Sequence, residues 1–188
     1  MDMKFFSDLI DALAKVVDGL KALVNLPKAE RDKYREAMDE TCRLIDTTLN
    51  MVIIKLGDIS YEAADTDLLR EVARLDNYTD WMTAEREFQL CRNLRVAVRE
   101  AETLQSRLIG TVIANDWDAL LRQMQAVLAS EGQIASFIGD QFSTLSNTAR
   151  TSSPDIRVLR DNLRAVRTAL ISQRQKLIQR EMELMTLV

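Results

Sequence analysis

The sequence predicts an all-α fold: an elongated, up-and-down antiparallel helical bundle of four to five long helices plus one short helix, in a single domain over residues 1–188. Three observations predict it. Only five Gly and two Pro occur, too few to turn antiparallel strands roughly every ten residues. Hydrophobic residues make up 47% and charged residues 29%, the balance of a chain that buries a core rather than one that stays disordered. Apolar residues recur three and four apart over long stretches, which is the period of an amphipathic helix.

The first helix is expected within residues 1–26, with Phe6, Leu9, Ile10, Leu13, Val16, Val17, Leu20, Leu23 and Val24 on one stripe. Pro27 forces a break and suits the first position of a second helix running to Ile59. That helix carries Tyr34, Met38, Thr41, Ile45, Leu49, Val52, Leu56 and Ile59 at near-heptad spacing. Its run Met51-Val52-Ile53-Ile54 is apolar round most of the circumference and calls for cover from several sides, with Gly57 as a stop or kink. A short helix is expected around Asp67 to Leu75. A long third helix follows from about Thr83 to Ala114, burying Phe88, Cys91, Leu94, Val98, Ala101 and Leu108. A fourth starts at the Asn115-Asp116 cap and continues to Leu145, burying Trp117, Leu120, Met124, Val127, Ile134, Ile138 and Phe142. The polar run 146–153 reads as a loop. A basic last helix over 154–188 is opened by Ser153-Pro154-Asp155 in the order cap, Pro, acid, and buries Ile156, Leu159, Leu163, Val166, Leu170, Leu177 and Met182.

The absence of histidine limits the chemistry most. Imidazole is the usual general base near neutral pH and the commonest metal ligand, so triads built on it and Glu-x-x-His di-iron sites are excluded. Cys42 and Cys91 are too few for a thiolate metal site or a disulfide scaffold, and both fall on apolar stripes as small hydrophobes. Each glycine stands alone, with no phosphate-cradling spacing. Carboxylates at Glu36-Asp39-Glu40 and Glu85-Glu87 lie among Lys and Arg, as on a solvated helix face. No catalytic, cofactor-binding or metal-binding residue is expected.

The net charge of −4 and a pI near 5.0 argue against nucleic acid as a partner. The charge is uneven: residues 150–188 carry a net +4 and residues 1–149 a net −8. Five arginines, Arg157, Arg160, Arg164, Arg167 and Arg174, share a face of the last helix beside its apolar stripe. Such a ladder grips carboxylates or phosphates, whether of a partner or of the acidic body of the same chain. The fourth helix carries a second pattern, small residues at Ala129, Gly132, Ser136, Gly139 and Ser143, continuing to Ser146. Small side chains admit close approach of another helix, within the bundle or from outside it.

These features predict a non-catalytic helical interaction or scaffold module that binds a protein partner or self-associates as in a coiled coil. The alternative is a membrane-acting bundle whose N-terminal amphipathic helix, with Phe5 and Phe6 near its tip, docks on or inserts into lipid. Cell-death executioner bundles of the HeLo type share that layout as architecture, though no motif here identifies that family. The acids Asp2, Asp8, Asp11 and Asp18 rule out a secretory apolar core at the N-terminus, and no run of about eighteen apolar residues occurs, so the expected location is cytoplasmic.

Overall fold

A computed structural model describes residues 4–22, 27–77, 94–106, 114–129 and 131–186. Among them the chain is all-helical, with no strand and seven helices of nine residues or more. These are α1 (Lys4–Ala22), α2 (Lys28–Ser60), α3 (Asp65–Ala73), α4 (residues 94–106), α5 (Ala114–Ala129), α6 (Glu131–Ala149) and α7 (Ile156–Met185). The expected third helix is described only as α4; Phe88, Cys91 and Leu108 lie outside the described residues, as do Leu23, Val24, Trp81, Glu85 and Glu87.

Several helix boundaries differ from expectation, each for a local reason. Pro27 is the N-cap of α2 rather than its first helical residue, with φ −50° and ψ 137°, and its carbonyl accepts from Arg31 N at 3.2 Å. Gly57 neither stops nor kinks α2; the helix runs through it to Ser60. The expected fourth helix is described as α5 and α6, on either side of residue 130, which lies outside the described residues. The polar run expected as a loop from residue 146 is helical to Ala149, because its hydroxyls find acceptors within the helical frame. Thr144 Oγ1 donates to Asp140 O and Thr148 Oγ1 to Thr144 O, both at 2.8 Å. Ser146 is buried and bonds across to α3, so the connection to α7 is only residues 150–155. At its far end the α7 cap is Asp155, whose Oδ1 accepts from Val158 N at 3.1 Å; Ser153 is exposed and is not the cap.

One contiguous hydrophobic core collects side chains from all seven helices. The stripes expected of α1, α2 and α5 are buried almost throughout. In α7 the buried set is Leu159, Leu163, Val166, Leu170, Gln173, Leu177 and Leu184, alternating four and three residues apart up to Leu177 and then a full seven. That strict heptad leaves Met182, expected inside, 62% exposed. Ile54 is likewise 53% exposed, so the apolar girdle of α2 is covered on most sides but not all. Trp117, in the first turn of α5, is wholly buried; its Nε1 donates to Ala101 O in α4 at 3.0 Å and its ring meets Tyr34 edge-on at 5.3 Å.

Among α1, α2, α3, α5, α6 and α7 the most extensive packing joins α2 to α7, followed by α1 to α5; α1 also lies on α7, and α3 on α6. Gly19 lets α1 approach α5 closely, since a Cβ there would sit 3.3 Å from Leu120 Cδ1. Phe6 of α1 meets Phe137 of α6 edge to face at 5.2 Å.

The cap assignment is checked by equilibrium denaturation. Asp155→Ala is expected to lower stability by about 1 kcal/mol, whereas Ser153→Ala leaves it within about 0.5 kcal/mol of the parent.

Candidate interaction surface

The arginine face of α7 divides into two rails. Arg160, Arg167 and Arg174, seven residues apart, turn to α2; Arg157 and Arg164, also seven apart, turn to solvent. Arg160 Nη1 donates to Ser60 O and its Nη2 to Asp65 Oδ1, both at 3.2 Å, tying the end of α2 to the start of α3. Arg167 Nε donates to Ile53 O at 3.3 Å. Arg174 forms a two-pronged bond with Asp46, Nε to Oδ1 at 2.7 Å and Nη2 to Oδ2 at 3.1 Å. One heptad further on, Glu181 accepts from Arg43 Nε at 3.3 Å, and Arg43 also pairs with Asp39 at 3.0 Å. Each step of seven up α7 is thus met by a step of about seven down α2, through residues 60, 53, 46 and then the Arg43–Asp39 pair. The two helices run antiparallel in a heptad register.

Gly57 makes the second of these seats. A Cβ at that position would lie 3.1 Å from Arg167 Nε and 3.5 Å from its Cζ, so the bare backbone lets the guanidinium settle against α2 a few tenths of an ångström closer than alanine would. The sequence shows an isolated glycine in a helix; what it is for depends on an arginine more than a hundred residues away.

Three of the five ladder arginines are therefore occupied within the chain and are not open to a partner in this conformation. Arg160 is 20% exposed. Arg164 is 59% exposed, with only a long 3.9 Å approach to Asp161. Arg157 is exposed as well. The outward rail is short, and Asp161 between its two arginines halves its charge.

The small-residue positions lie on two helices, Ala129 at the end of α5 and Gly132, Ser136, Gly139 and Ser143 on α6. Ala129, Ser136 and Ser143 are exposed and Gly139 is half-buried. Ala129, Ser136 and Ser143 thus do not point into the bundle. Ser146, at the end of the pattern, packs inward, sharing its hydroxyl proton between Ala73 O at 3.1 Å and Asp76 Oδ2 at 2.9 Å. Beside it Arg150 donates to Asp76 Oδ2 at 2.8 Å and to Ala73 O at 2.7 Å, closing the C-terminal end of α3 from α6. Sequence reasoning missed both this clasp and the Gly57 seat, since neither leaves a periodic signal.

Cys42 is wholly buried in the core. Burial pushes its thiol up from 9.0 to about 12, with the carboxylates of Glu181 and Asp39 adding to the rise. It therefore stays a neutral thiol, a small hydrophobe rather than a nucleophile. Glu36 and Glu40 are exposed, and Asp39 is engaged by Arg43. Among the described residues no group of three or more His, Cys, Asp and Glu is placed to hold a metal ion, and no helix is long and apolar enough to cross a membrane.

Two measurements check these assignments. Gly57→Ala is expected to lose most of the roughly 1 kcal/mol that alanine's better helix propensity would bring, because Arg167 must shift by a few tenths of an ångström; in an Arg167→Ala background the same change should stabilise by up to about 1 kcal/mol. For Cys42, the folded pKa lies above the unfolded one, so its contribution is complete below pH 9.0 and is lost as pH rises toward about 12. In a Cys91→Ser background, labelling by a thiol reagent at pH 8 should accordingly proceed only at the rate of global unfolding; fast labelling of the native state would contradict the burial. The sequence matches no protein-family model, and no curated protein and no solved structure is found similar to it.

Proposed function

We propose that this chain is a non-catalytic cytoplasmic interaction module, folded over residues 1–188 as one elongated up-and-down bundle, which self-associates or takes a partner helix on the outer surface of α6 and α7. The observation that carries the reading is the exposure of Ser136 and Ser143, with Gly139 half-buried between them. Small residues in a helix that do not pack inward forgo propensity, about 1 kcal/mol at a glycine, for no internal gain. A helix laid along α6 from outside would use the space they leave. The six-residue connection 150–155 keeps α7 beside α6, and α7 presents Ala165, Thr168, Ser172 and Gln175 outward, again small or uncharged. Arg157 and Arg164 stand near one end of this surface and suit a carboxylate on the incoming helix.

Release of α1 onto lipid is energetically the harder alternative. Its eight buried apolar side chains, from Phe6 to Leu20, would cost on the order of 10–20 kcal/mol to bring into water on the way to a lipid surface that buries them again, a barrier as large as the entire stability of a typical domain. Its outer face, with Lys4, Asp8, Asp11, Lys15, Asp18 and Lys21, has no excess of positive charge to draw it to an anionic surface.

Size-exclusion chromatography with light scattering, at low and high salt, tests the proposal. A discrete oligomer should persist at high salt, because the surface is mostly uncharged. Ser136→Trp with Ser143→Trp should abolish it while leaving the unfolding free energy of the monomeric chain within about 0.5 kcal/mol of the parent. A monomer under all conditions would remove self-association, and an assembly indifferent to the two tryptophans would remove this surface.

A further inference from the structure

No further inference is drawn: the strongest candidate, the small-residue outer face of α6 continued by the uncharged outer face of α7, belongs to the surface already proposed, and nothing in the structure shows what covers it.

Discussion

The structure depends on the pairing of α2 with α7. These two helices, 33 and 30 residues long, supply the longest packed seam among α1, α2, α3, α5, α6 and α7. Apolar burial provides the free energy, but a heptad stripe is degenerate, since leucine at one layer fits nearly as well at the next. The polar seats remove that degeneracy. In the observed register Arg174 meets Asp46, Arg160 meets both the end of α2 at Ser60 and Asp65, and Arg167 lies against Gly57 between them; a slip of one heptad would still offer Arg174 a carboxylate at Asp39 but would take Arg160 away from the helix end and Asp65. Each pair is partly exposed and contributes about 1 kcal/mol or less to stability. Their value lies in register, because only the observed one gives Arg160 both the end of α2 and Asp65 and sets Arg167 against Gly57.

A second constraint follows from composition. Helices often end on glycine in the left-handed region, and with five glycines this chain cannot end many of its helices that way. The C-caps of α2 and α3 are Tyr61 and Arg74, both right-handed. Their last carbonyls are taken by arginines from distant helices, Arg160 at Ser60 and Arg150 at Ala73. Closing a helix end in this way also docks it, so the same guanidinium satisfies an orphan acceptor and fixes where the next helix lies. Of the basic residues concentrated from position 150 onward, Arg150, Arg160 and Arg174 are met by carboxylates of the acidic remainder of the chain.

How much of this could be read from the sequence follows from which signals are periodic. The core stripes of α1, α2, α5 and α7 were legible because burial on one side of a helix imprints a repeat of three and four. The ladder was only half legible. Arg157, Arg160, Arg164 and Arg167 share a broad face by spacing, yet residues three apart differ by about 60° around the axis, enough to place one rail against α2 and leave the other in water. The loop expected from residue 146 failed for the opposite reason. Serine, threonine and asparagine favour turns only when their side chains compete with the backbone, and here the hydroxyls bond to carbonyls one turn back or to α3. Of the candidate surface, the pattern of small residues was visible, but which way it faced was not. Orientation depends on which helices arrive as neighbours, and that is set by contacts distant in sequence.

The account rests on α7 lying antiparallel to α2 with Arg174 level with Asp46. Distance measurement between nitroxide pairs on the exposed faces tests this directly. Labels at Glu40 and Gln179 should be close, and labels at Glu40 and Asp161 should be at least about 27 Å apart, the axial length of the eighteen helical residues between the two α7 sites. Equal distances, or the reverse order, would contradict the register and with it the roles given to Gly57 and the inward arginines.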